Sequence, residues 1–267
     1  MVLTSKISTF FDIARQDGFF SAFRALSEDA KKLLSGRFLF TFMTAYRYKK
    51  QQFFYDTPAN PYKIITVRPD RIEYYNQEID RYWGLGIIRG GGWDHQNNCT
   101  PVRDTTHYTG LQQHFEEGLD WEETVYVQNR LRSEGSEDLS RYKRERLRYF
   151  EDLFYAIKEN GYRPNHQSGH DAPEGGDRQG RLKHVHALEV LVTIGRNGEV
   201  YLNEGFHRCA IAKFLDIEQI PVNVLARHEE WQEKREMVHS APDPDSDPQI
   251  GQYVSHPDMR DVVCDSN

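Results

Sequence analysis

Cysteine is scarce: Cys99, Cys209 and Cys264 are the only three in 267 residues, far apart and odd in number. No Cys-x-x-Cys pair exists, which argues against a disulfide framework and a cysteine-built zinc site; a reducing cytoplasm fits best. Long apolar runs are missing too. "FLFTFMTAY" at 38–46 is far too short to span a bilayer, so no transmembrane segment is expected. The first twenty residues contain acidic side chains and no long apolar core, unlike a signal peptide. There is no excess of positive charge: the net charge is −7, which gives no global reason to bind nucleic acid or an anionic membrane. No internal repeat is visible. Hydrophobic residues make up only 38%, enough for a core in part of the chain, while 15 Tyr and 15 Phe argue against wholesale disorder.

What is present divides into three parts. Residues 1–57 read as an N-terminal helical extension of two or three amphipathic helices, with Ile7, Phe10, Phe11 and Ala14 on one face and Phe20, Phe23 and Leu26 on another. "TPANP" at 57–61 ends this part. Residues 58–240 read as one α+β domain: a small mixed β-sheet with packed helices and a helical insertion at about 104–182. "KIITV" is a strand, "DTTHYTGLQQHFEEG" a capped helix closed by Gly118, and Asp138 to Asn160 a long helix closed by Gly161. Residues 162–182 are polar and glycine-rich, as in a mobile surface loop. "LEVLVTIG" and "EVYLNE" are strands joined by an "RNG" hairpin turn. "FHRCAIAKFLDI" is a helix, "IPVNVLA" a strand and "HEEWQEKREMV" a charged helix. Residues 241–267, opening with "APDPDSDP", read as a flexible tail.

The stretch with most chemical character is Gly205-Phe206-His207-Arg208, where a strand turns into a helix. Helix starts carry unpaired N–H groups and partial positive charge, so two further basic side chains there suit an external anion. Glycine lets backbone approach a ligand, the N–H groups bind phosphate, Arg208 offers a bidentate fork and His207 another donor. The plainer alternative is a surface turn whose His and Arg make structural hydrogen bonds. Gly90-Gly91-Gly92-Trp93-Asp94 is a second, less specific motif. Gly91 and Gly92 could cradle an anion, Trp93 stack on a base, and Asp94 hold Mg²⁺ or accept a proton; the plainer alternative is a loop anchored by a buried Trp.

The run Glu189 to Arg227, with its tetrad, resembles the ParB/sulfiredoxin superfamily. Sulfiredoxins carry Gly-Cys-His-Arg at this place and ParB proteins Gly-Glu-Arg-Arg, and in both the tetrad binds nucleotide phosphates. "YKIITVRPDRI" looks like the first strand of the same fold. The resemblance implies a nucleotide-binding domain for ATP, ADP or CTP with Mg²⁺. It implies a phosphotransferase or nucleotide hydrolase, since the superfamily includes a kinase of free serine. Gly205, Phe206, His207 and Arg208 would hold phosphates, and Asp94, then Glu189 and Glu204, would supply a base or metal carboxylate. Phe206 stands where sulfiredoxins have their reactive cysteine, so sulfinate reduction is not expected. No helix-turn-helix follows the domain, so DNA is not the favoured partner. The acceptor, a small molecule or a protein, is open. The alternatives are a non-enzymatic nucleotide switch that binds DNA or a protein, and a structural protein with a degenerate site.

Three weaker features complete the reading. His184, His186 and Glu189 alternate into a strand and could place two imidazoles on one face as a metal pair. The basic run "RYKRERLR" at 141–148 suits phosphates, but Glu145 and Glu151 and an apolar opposite face favour the wet side of a helix. The Phe-rich N-terminal helices suit a membrane surface, though packing on the core or a subunit is the simpler expectation.

Overall fold

A computed structural model describes residues 37–134, 147–168 and 188–264. The helices expected before residue 37, the basic run at 141–146 and the histidines at 184 and 186 lie outside these residues.

Along the chain come α1 (Arg37–Phe54), β1 (Ile64–Val67), β2 (Tyr74–Tyr75), β3 (Ile87–Arg89), β4 (Thr100–Pro101), α2 (Thr106–Phe115), α3 (Val125–Glu134) and α4 (Arg148–Asn160). Then follow α5 (Asn165–Ser168), β5 (Val190–Ile194), β6 (Val200–Glu204), α6 (Phe206–Phe214), β7 (Ile220–His228), α7 (Glu229–Ser240), α8 (Gly251–Val254) and α9 (Arg260–Cys264). The strands form one open mixed sheet in the order β1-β7-β5-β6-β2-β4, with β3 also on β7. The protein is thus mixed α and β, as the strand and helix periodicities predict.

Local chemistry explains the central unit. β5 is apolar at every position but Thr193 and buried throughout. Its alternate residues serve two cores, as in a strand covered on both faces. Val190, Val192 and Ile194 pack with Cys209 and Ala212 of α6, whereas Leu191 packs with Phe40, Leu85 and Trp93 on the side of α1. The "RNG" turn closes the β5–β6 hairpin with Gly198 at φ 87°, a left-handed conformation glycine adopts without cost. Thr105 caps α2 by accepting from the Tyr108 N–H, and Gly161 follows α4 at φ 73°. A third cluster joins α2, α3, α4 and α6 through Leu111, Tyr126, Phe150, Phe154 and Ile211.

Strand direction fixes two ends of the sheet. β5 and β7 run parallel, and β6 runs antiparallel to β5. The β5–β6 turn therefore lies beside Arg227 at the end of β7, whereas Glu204 lies across from Leu191, itself beside Asn223. The two ends are separated by the length of β6, about 13 Å at 3.3 Å per residue.

The flexible tail expected at 241–267 is corrected over its described part. Ile250, Met259 and Val262 are buried in the main core. Asp258 is buried as well, accepting from Arg227 Nε at 2.8 Å and Nη2 at 2.6 Å and from Trp231 Nε1 at 2.9 Å. Arg235 bonds the Asp258 carbonyl and pairs with Asp261 at 3.0 Å. The polar opening "APDPDSDP" leads into a segment that packs through both these apolar side chains and its buried ion pairs.

Candidate functional site

Helix α6 starts where β6 ends. Gly205 is its N-cap at φ 92° and ψ 33°, and no side chain caps the helix. A Cβ at Gly205 would lie 3.1 Å from Val190 Cγ2 and 3.2 Å from its Cα, so both the dihedral and the close strand call for glycine. The first helical bond runs from Cys209 N–H to the Gly205 carbonyl at 3.0 Å. The first turn has no acidic residue, so its positive end is not neutralised from within the helix.

Successive helix positions project about 100° apart, and the two basic side chains diverge accordingly. Arg208 turns to the β5 side. Its Nη1 donates to Asn165 Oδ1 at 2.5 Å and to Glu189 Oε2 at 3.3 Å, and its Nη2 donates to the Leu188 carbonyl at 3.1 Å. Glu189 also accepts from the Asn165 N–H at 2.7 Å. Beside them burial pushes the Tyr162 phenol up to about 12, with Arg208 acting in the opposite sense. His207 turns toward the helices. Its Nε2 lies 2.8 Å from the Tyr126 hydroxyl, and its ring meets Phe150 and His107 edge-on at 4.5 Å and 4.7 Å between centroids. His107 in turn stacks on Phe206 at 5.2 Å, and Phe206 meets Tyr75 edge-on.

The second motif stands elsewhere. Asp94 accepts from the Arg196 backbone N–H at 2.8 Å and from its Nε and Nη2 at 3.0 Å and 2.8 Å. Burial opposes its charged form, and the Arg196 bonds outweigh that, holding the carboxyl below the usual range. Arg196 lies in the β5–β6 turn, the opposite end of β6 from the tetrad. Trp93 is buried, donates to the Arg89 carbonyl at 2.9 Å and packs on Tyr201 and His228. Gly91 accepts from Arg196 Nη2 at 2.8 Å through its carbonyl, and the Gly92 carbonyl accepts from Asn98 at 2.9 Å. This loop is therefore a clasp on the hairpin turn, and it is not brought to the tetrad.

The same pattern covers all three carboxylates singled out from the sequence. Asp94 pairs with Arg196, Glu189 with Arg208, and Glu204 with Arg81 at 3.0 Å while accepting from the Gly205 N–H. Each is committed to an arginine through an ion pair, so its oxygens are already engaged. Among the described residues, no three carboxylate, imidazole or thiol side chains converge to hold a metal ion, and Asp94 in its clasp does not fit that role. The thiol of Cys209 is buried and pushed up to about 12 by that burial, so it offers no thiolate.

The structure puts Gly205, Phe206, His207, Arg208, Glu189 and Glu204 at one end of the sheet, whereas Asp94, Trp93, Gly91 and Gly92, expected at the same site, lie at the other. It adds His107, Tyr126, Asn165 and Tyr75, which come from α2, α3, α5 and β2. No spacing signals them, since His207 contacts Tyr126 across 81 positions. No family model, curated protein or solved structure matches the chain. No helix among the described residues is long and apolar enough to cross a membrane.

Proposed function

We propose that this protein binds a nucleotide through its phosphates at the start of α6, in the manner of the ParB/sulfiredoxin superfamily that its tetrad resembles. The observation that carries the reading is Gly205: left-handed, without a side-chain cap, and set before a helix whose first turn has no carboxylate. Such a start presents backbone donors and the positive helix end to an anion. Phe206, the first helical residue, stacks on His107 beside it. ATP, ADP and CTP are the ligands to test, with any Mg²⁺ arriving on their phosphates.

Arg208 acts here mainly as a positioning group, because its donors hold Asn165, Glu189 and Leu188. Phosphoryl transfer or nucleotide hydrolysis would need a proton acceptor. The His207–Tyr126 pair is the one at hand beside the helix start. A binding module without turnover is the second reading, and the arginine pairing of Asp94, Glu189 and Glu204 favours it.

A melting experiment with each nucleotide, with and without Mg²⁺, tests the reading. A ligand at a hundred times its Kd stabilises by about 2.7 kcal/mol. For a chain of this size that raises Tm by roughly 5–10 °C. No shift with ATP, ADP or CTP removes the proposal. Phosphate release from a nucleotide that does bind separates the enzyme from the switch.

A further inference from the structure

Among the described residues, helix α1 is held to the body by one side. Leu39, Phe40 and Met43 are buried. Thr44 accepts from the Leu85 N–H at 2.9 Å, and Gln51 donates to the Gly86 carbonyl at 2.6 Å. Arg47 bonds the Trp83 carbonyl. These bonds fix the helix, and so they fix what its other side presents. Tyr46, Phe53 and Phe54 are 56%, 84% and 65% exposed. Lys49 and Lys50 lie exposed between them. Tyr62, 49% exposed, follows Pro61, which meets Gly86 next to Gln51.

Large aromatic rings so far out of the core are unusual in company. The charge around them is equally uneven. α1 contains no Asp or Glu in its 18 residues. The first 54 residues carry nine Lys and Arg against four Asp and Glu, in a chain whose net charge is −7. Aromatic rings alternating with lysines on one side of a helix match an anionic bilayer surface. The rings enter the headgroup boundary and the ammonium groups meet lipid phosphates. A two-fold contact with a second copy through this side would set two lysine-bearing helices, neither with an Asp or Glu, against each other.

We propose that the outer side of α1 docks the protein, lying flat, on an anionic lipid membrane. The proposal is independent of the nucleotide site. It is tested by sedimenting the full chain with vesicles of neutral phosphatidylcholine, or of phosphatidylcholine mixed with phosphatidylglycerol. Binding to the mixed vesicles and not to the neutral ones is expected, and it should fall as salt rises. Each lysine at such a surface contributes about 1 kcal/mol, roughly a fivefold change in partitioning. Lys49→Gln with Lys50→Gln should therefore weaken binding about 25-fold. Phe53→Ser with Phe54→Ser should weaken it as well. Both pairs are exposed, so unchanged melting temperatures would show the fold intact. Absence of sedimentation with the anionic vesicles overturns the proposal. So does binding indifferent to these substitutions, which would place the membrane contact elsewhere on the chain. A dimer in sedimentation velocity that Phe53→Ser with Phe54→Ser dissolves overturns it in favour of a second copy.

Discussion

Asp258→Ala should be among the most destabilising single substitutions in this chain. The carboxylate is 2% exposed and sits between two buried guanidinium groups, Arg227 at 2.6 Å and Arg235 at 3.4 Å. It also accepts from Trp231. Alanine removes the anion and strips the buried Arg227 guanidinium of both bonds it makes to this carboxylate. Breaking a buried pair from one side costs about 3–5 kcal/mol. That is a drop in Tm of roughly 6–20 °C for a chain of this size. An asparagine oxygen at the Oδ2 place keeps an acceptor for two of the three donors, Arg227 Nε and Trp231 Nε1, so Asp258→Asn should fall at the lower end of the range. Acid dependence gives an independent check. Burial opposes the charged form of Asp258, and Arg227 and Arg235 outweigh it, so the folded carboxyl titrates well below the usual 3.8. A group lowered in the folded state contributes its stability above the unfolded pKa, and loses it as pH falls from there toward the folded value. The wild type should therefore lose stability more steeply than the variants below about pH 4. Calorimetric melting at neutral and acid pH measures both effects. A loss under about 1 kcal/mol, or equal acid slopes, would refute the account of how the C-terminal segment is held.

Two further substitutions test the two ends of the sheet. Gly205→Ala should cost about 1–2 kcal/mol from the left-handed dihedral alone, plus displacement of Val190. Denaturant unfolding reads the cost, and any nucleotide affinity should drop with it because the helix start moves; unchanged stability would contradict the N-cap geometry. Asp94→Asn should lower stability by about 1.5–3 kcal/mol, the scale of charge-assisted hydrogen bonds, because Asn cannot accept all the Arg196 donors. Nucleotide binding should be spared, since the clasp lies across the sheet from α6; calorimetric titration showing a matching loss of affinity would link the two motifs after all.

The hairpin, α6, β7 and their glycines are legible in the sequence because their determinants are local. β-branched runs, an Asn-Gly turn and a glycine before a helix each act within a few residues. The end of the sheet on which a motif lands is not local. Gly-Gly-Gly-Trp-Asp reads as an anion cradle because nothing nearby reveals that Asp94 will meet Arg196, 102 positions later. The tail misleads for the same reason. Its acidic and proline-rich composition predicts solvation, yet Asp258 finds Arg227 and Arg235, which lie in β7 and α7. His107 carries no signal of its own, because its ring is placed by the packing of α2 on α6.

The pairing of Glu189 with Arg208 and of Glu204 with Arg81 has a kinetic meaning for anything that approaches α6. Opposite charges a few ångströms apart cancel at a distance, so this end of the sheet projects little field beyond a Debye length of about 8 Å at physiological salt. A ligand would not be drawn in from afar; it would arrive by ordinary diffusion and be held by short-range donors. Its association rate would then respond weakly to ionic strength, because electrostatic steering needs an uncompensated field. The exposed lysines of α1 sit in the contrary regime, where salt governs encounter.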